Sequence, residues 1–138
     1  MEIRLAKTAG FCFGVNRAVE LTYNLLNEGH KVTTLGPLIH NPQAVEDMRR
    51  KGAQVVNTVQ DVPAGCEVVI RSHGVPRSIY DELESRGIPY HDATCPFVQK
   101  IQRIAAQAEK EGAVLLVAGD KTHPEVQGLS LIHISEPT

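Results

Sequence analysis

The sequence has no apolar run of membrane-spanning length. A transmembrane helix needs about 20 such residues in a row and is therefore excluded. Neither sign of charge is in surplus: 14 Lys and Arg against 16 Asp and Glu leave a net charge of −2. That balance gives no electrostatic footing for a nucleic-acid partner. Cysteine is scarce. Cys12, Cys66 and Cys95 are too few and too scattered for a disulfide framework, and no CxxC pair of the kind common in zinc sites occurs. No low-complexity linker interrupts the chain, and Met1–Ala6 enters a strand-like pattern without a secretory h-region. Together these absences point to a cytoplasmic protein without a membrane segment.

The 138 residues are enough for one ordinary domain with a real core, and 42% apolar with 22% charged residues is the composition of a soluble α/β protein. Short strand-like runs alternate with amphipathic helical patterns. Strands are expected at Ile3–Ala6, Val32–Leu35, Gln54–Val56, Glu67–Arg71, Pro89–Asp92 and Ala113–Ala118, the last a nearly continuous apolar run typical of a buried parallel strand. Val15, Ala18, Val19, Thr22, Leu25 and Leu26 recur at helical spacing, with Gly29 placed to end that helix. Asn41-Pro42 opens a helix that ends near Gly52, and Pro76 opens one that stops at Gly87. Thr94-Cys95-Pro96 opens the longest, with Phe97, Val98, Ile101, Ile104, Ala105 and Ala108 on one apolar face and Gly112 at its end. Such alternation predicts a parallel sheet with helices on its faces.

Cys12, His40, His73, Cys95 and His123 each fall in a turn between an expected strand and the helix after it. In parallel α/β sheets these turns share the edge at the carboxyl ends of the strands, where ligands bind. The adjoining helix N-termini offer free N–H groups and the positive end of a dipole, which suits phosphate.

Each residue has a plain structural reading beside the chemical one. Dispersed cysteines in a reducing compartment are inert core residues, metal ligands or nucleophiles, and composition leaves all three open. In Gly10-Phe11-Cys12-Phe13-Gly14-Val15 the flanking glycines allow a bulky group to approach the thiol. Asp92-Ala93-Thr94-Cys95-Pro96 repeats the arrangement, which is compatible with an iron–sulfur cluster assembled from separate loops. Cys66 opens a strand on the opposite edge and reads as structural. His40 in Leu38–Pro42 and His73 in Ser72–Pro76 stand at helix starts, as solvated capping residues or as donors to a diphosphate. His123 and Glu125 form an acid–base pair at another helix start, or an ordinary helix-start glutamate beside a loop histidine. His30 and His91 lack this context and read as structural.

The segments GFCFGV, LIHNP, SHGVP, DATCP and THPEVQG, in this order and spacing, closely resemble the 4-hydroxy-3-methylbut-2-enyl diphosphate reductases, the IspH/LytB family of the non-mevalonate (MEP) isoprenoid pathway. The resemblance covers residues 1–128. It implies a 4Fe-4S cluster held by three cysteines, two of them matched by Cys12 and Cys95. It assigns His40, His73 and His123 to the substrate diphosphate, and Glu125, with His123, to proton delivery. The implied reaction is reductive dehydroxylation to isopentenyl and dimethylallyl diphosphate, with electrons from a ferredoxin or flavodoxin. The implied fold has three similar α/β domains around a cavity, of which residues 1–95 would be the first and 96–128 the start of the second. The third cluster cysteine has no counterpart here, so the chain is expected to be an inactive fragment. Residues 129–138 lack family character and read as translated adapter or assembly sequence. Two readings from other classes stand beside this one: a zinc-dependent hydrolase using Cys12, Cys95 and histidines, and a non-catalytic phosphate-binding α/β module.

Overall fold

Strands and helices alternate because the apolar residues switch between a period of two and one of three to four. The computed structural model describes residues 2–4 and 6–129. In chain order the elements are α1 (Phe13–Asn27), β1 (Val32–Leu35), α2 (Pro42–Arg50), β2 (Gln54–Val56), a 3-10 turn (Val59–Asp61), β3 (Glu67–Ile70), α3 (Arg77–Ser85), β4 (Tyr90–Asp92), α4 (Pro96–Lys110) and α5 (Pro124–Leu129). The four strands form one parallel sheet in the order β2-β1-β3-β4. Thr34 stands opposite Val55 on one side and Val69 on the other, and Val69 opposite His91.

Alternation along β3 sends Val69 to one face of the sheet and Val68 and Ile70 to the other; all three are fully buried. On the first face Val69 packs with Val32, Ala18, Val19 and Leu25 of α1, and Met48 of α2. On the second, Val68 and Ile70 pack with Leu83 of α3 and Val59 of the 3-10 turn. Each large side chain buried this way contributes about 1.5–3 kcal/mol. Asn41 caps α2 by accepting a hydrogen bond from the Ala44 N–H at 3.1 Å, with Pro42 in the first turn. Helix α1 ends in a Schellman motif: the Gly29 N–H donates to the Leu26 carbonyl and the His30 N–H to the Leu25 carbonyl, with Gly29 at φ +86°. The same bond pair closes α2, α3 and α4, so each helix is followed by a sharp, fixed exit.

Two expected strands are absent, for one reason. Of Ile3–Ala6, Leu5 lies outside the described residues, and Ile3, Arg4 and Ala6 belong to no strand; Ile3 is exposed. Ala113–Ala118 likewise forms no ladder, with Val114 and Leu116 more than four-fifths exposed. An apolar run becomes a strand only where a neighbour accepts its backbone hydrogen bonds, and among the described residues neither segment pairs with the open side of β2 or β4. The apolar face expected on α4 is also only partly used: Val98 and Ala105 are buried, while Phe97, Ile101 and Ile104 are exposed. Pro76 stands one place before α3 rather than inside it. The expected foreign tail lies outside the described residues except for Leu129, which ends α5 and is buried.

Candidate functional site

Three strand exits carry the site. After β4, Asp92 organises the turn: its Oδ1 accepts from the Thr94 N–H at 2.9 Å and the Thr94 hydroxyl at 2.5 Å, and its Oδ2 from the Tyr80 hydroxyl at 3.1 Å. Burial, first of all, pushes the Tyr80 phenol up to about 12, so it remains a donor. The turn is tied to the exit of β3 by the Cys95 N–H donating to the Ser72 carbonyl at 2.9 Å. It is tied to α1 by Arg17, whose Nη1 donates to the Thr94 carbonyl at 3.1 Å. Cys95 therefore stands at the start of α4, beside the start of α1.

Cys12 caps α1 and is exposed; Cys95 is half-buried. Gly14, the second residue of α1, is what lets the two starts approach. A Cβ there would stand 2.7 Å from Cys95 Sγ. The Cys12 and Cys95 turns are thus neighbours, as the sequence leads one to expect, although no strand precedes Cys12.

The histidines form a row. His40 follows β1, His73 follows β3, and their ring centroids are 6.0 Å apart; His73 and His123 are 6.1 Å apart. His73 is half-buried, and desolvation, its largest perturbation, lowers its pKa. Arg71, His40 and His123 act in the same direction, and Glu125 opposes them. His123 is held by a turn built on Asp120, whose Oδ1 accepts from the Thr122 N–H at 2.8 Å and the Thr122 hydroxyl at 2.7 Å. These bonds hold the Asp120 carboxyl below its ordinary pKa. The Glu125 N–H points at His123 Nδ1 from 3.3 Å, at the start of α5. The expected strand before His123 is missing, yet the ring still reaches the row.

Sequence reasoning missed two residues that support this row. Gln102 of α4 sits between the His73–Gly74 turn and α5. Its Nε2 lies 2.8 Å from where a Gly74 Cβ would be and 3.2 Å from the equivalent point at Gly128. That buried Nε2 has no hydrogen-bond partner. A polar residue midway between the buried Val98 and Ala105 is the signal that was available. Arg71, closing an otherwise apolar strand run, is the second. Its Nε is also buried and unpartnered, and its Nη1 lies 3.3 Å from where a Gly36 Cβ would stand.

The remaining candidates lie elsewhere. Cys66 is buried just before β3, at the amino edge of the sheet. His30 and His91 share one carboxylate, Glu67, with Nδ1 of His30 at 2.8 Å and Nε2 of His91 at 2.6 Å. Among the described residues no group of three or more His, Cys, Asp or Glu could hold a metal ion, and no helix is long and apolar enough to cross a membrane.

Comparison with known proteins adds the following. The LytB protein family model matches residues 3–135. The chain is 44% identical over 134 residues to the 4-hydroxy-3-methylbut-2-enyl diphosphate reductase of Caldanaerobacter subterraneus subsp. tengcongensis, covering 94% of the chain and 46% of that protein. It is 45% identical over 129 residues to the reductase of the same name from Citrifermentans bemidjiense, with the same coverage. Among solved structures it is similar to (E)-4-hydroxy-3-methyl-but-2-enyl diphosphate reductase, described as the terminal enzyme of the non-mevalonate pathway. That match has a TM-score of 0.81 and 42% identity, over 93% of the chain and 46% of that structure. A diphosphate reductase from Plasmodium falciparum gives a TM-score of 0.84 at 28% identity, over 91% of the chain and 40% of that structure. The chain spans somewhat less than half the length of the curated relatives it matches.

Proposed function

The chain belongs to the LytB protein family, and from that premise we propose that its parent protein is an iron–sulfur reductase of 4-hydroxy-3-methylbut-2-enyl diphosphate. The reaction we assign it breaks the allylic carbon–oxygen bond. With two electrons and two protons the hydroxyl leaves as water, and isopentenyl or dimethylallyl diphosphate remains. The observation that carries this reading is the row His40, His73 and His123, gathered within ring contact beside the Cys95 turn.

Cys12 and Cys95 fit as part of a thiolate set: they occupy neighbouring helix starts, and Gly14 keeps the space beside Cys95 Sγ free of a side chain. Two thiols are short of the three that the family resemblance requires, and Cys66 lies at the other edge of the sheet. We therefore propose that a third ligand, with the rest of the pocket, comes from the half of the relatives that this chain does not span. The 4Fe-4S cluster, when bound, would supply the electrons and a Lewis-acidic iron. The chain's own residues would do the rest. The three imidazoles donate hydrogen bonds to the diphosphate and fix the alcohol end toward the cysteines. Glu125, close enough to His73 to influence its charge, hands on a proton through the His123 side of the row. A reduced ferredoxin or flavodoxin would deliver the electrons, and the free cysteines fit a cytoplasmic location. Residues 1–95 would form one α/β unit and 96–128 the start of the next, a division supported by the sheet ending at β4 and by the uncovered face of α4.

Anaerobic cluster reconstitution followed by a viologen-linked reductase assay tests both parts. The 138-residue chain alone should show no turnover. The chain extended by the remaining half of a close relative should be brown and active, and should lose both properties in Cys12→Ser and Cys95→Ser. Turnover by the chain alone would refute the fragment proposal, and an extended protein that holds no iron would refute the reductase. A phosphate-binding module remains the second reading, favoured by the completeness of the histidine row where the cysteine set is incomplete. Diphosphate binding by the extended protein that is indifferent to the cysteines, without reduction, would establish it.

A further inference from the structure

Arg71 is the last residue of the β3 run and lies at the carboxyl edge, between the exits of β1 and β3. Its Nη1 reaches across to Gly36, where a Cβ would stand 3.3 Å away, and its Nε is buried with no partner. Among the described residues no carboxylate answers the guanidinium, and burial holds its pKa below the ordinary value. Arg71 as a whole is half-buried, and a cation partly withdrawn from water without a counter-ion is costly. Such a cation persists in a fold when an anion completes it. The residue two places on is His73, whose ring meets His40 and His123.

We propose that Arg71 supplies the fixed positive charge of the diphosphate site, paired only when the anion sits on the histidine row. This rests on the reading of that row as a diphosphate site. Imidazoles provide direction but no permanent charge near neutral pH, whereas a guanidinium is always charged and matches phosphate oxygens. The competing role is packing, since an arginine stem covers apolar surface whatever its charge does. Arg71→Met keeps the stem and removes the charge, and so separates the two.

Titrating the chain extended by the remaining half of a close relative with inorganic pyrophosphate, by calorimetry at low salt, supplies the test. Arg71→Met should weaken binding at least about tenfold, and Arg71→Lys, which keeps the charge, no more than about threefold. The melting temperature of Arg71→Met should equal or exceed that of the wild type, because a partly buried cation without a carboxylate partner has been removed. Unchanged pyrophosphate affinity in Arg71→Met would overturn the role of Arg71 and leave the histidine row standing. No pyrophosphate binding by the extended wild-type protein would overturn the diphosphate reading and this inference with it. If Arg71→Met fails to fold, the wild-type Arg71 Nε–H signal decides by NMR. It should shift with pyrophosphate in step with the His73 ring, and an Nε–H that does not move would overturn the proposal.

Discussion

The two edges of the sheet use the same residue types to opposite ends. At the amino edge His30 and His91 share Glu67, and Cys66 is buried before β3. Both histidines and the carboxylate there are partnered within the fold. At the carboxyl edge His40, His73 and His123 face one another, Arg71 has no carboxylate, and Cys12 is open to solvent. A histidine or cysteine is therefore not informative by type. What separates the edges is whether the fold itself satisfies the group, and buried polar groups left unsatisfied are the ones that await a ligand.

Thiol reactivity should separate the edges most. Cys12 should react with iodoacetamide roughly a hundred times faster than Cys66, which must wait for local opening. Mass spectrometry of timed samples reads the ratio, and comparable rates would erase the contrast. Next come the glycines. Gly65, near the amino edge, has φ +76° and open space around it, so Gly65→Ala should cost only the left-handed strain of about 1 kcal/mol. Gly74 has φ +75° and also meets Gln102 and Thr94, so Gly74→Ala should cost about 2–3 kcal/mol by urea unfolding. Third, His73→Ala should weaken pyrophosphate binding about tenfold, while His91→Ala leaves it unchanged. Equal losses would mean that the edges do not differ in function.

The smallest effect is in pH, and its sign differs between the edges. The hydrogen bond to Glu67 raises the pKa of His30 above its ordinary 6.5, so that stabilisation is full below 6.5 and lost as pH rises through the raised value. The His91 and His30 hydrogen bonds lower Glu67 below its ordinary 4.5, so its contribution is full above 4.5 and lost as pH falls through the lowered value. The amino-edge network is thus strongest between about pH 4.5 and 6.5. His73 is lowered from 6.5, chiefly by burial, and favours the fold above that pH while opposing it below. Melting curves should show the gap between wild type and Glu67→Gln widest in that window and narrowing toward pH 8. A gap of constant width would mean that Glu67 acts only by packing.

The sheet was legible in the sequence from residue 32 to residue 92, because each strand there has a neighbour and each helix carries its own stop at a glycine. Ile3–Ala6 and Ala113–Ala118 have strand composition and no strand, since pairing is a property of the partner and not of the run itself. The histidine row was legible as far as its sheet edge. Its support was not: Gln102 reaches Gly74, next to His73, from 28 positions along the chain, and only packing shows that it does. Arg71 was hidden by its own context, where a charge at the end of an apolar run reads as the strand meeting water.

The bond from Tyr80 to Asp92 has a consequence for how the chain can be watched. There is no tryptophan, and all three tyrosines donate to carboxylates: Tyr23 to Asp47, Tyr80 to Asp92 and Tyr90 to Glu84. A phenol bound to a carboxylate loses its proton readily in the excited state and emits weakly, so the folded chain should be optically dim. Asp92 also orients the Cys95 turn, so with Tyr23 and Tyr90 replaced by Phe the faint Tyr80 emission becomes a gauge of that turn, free of any brighter fluorophore.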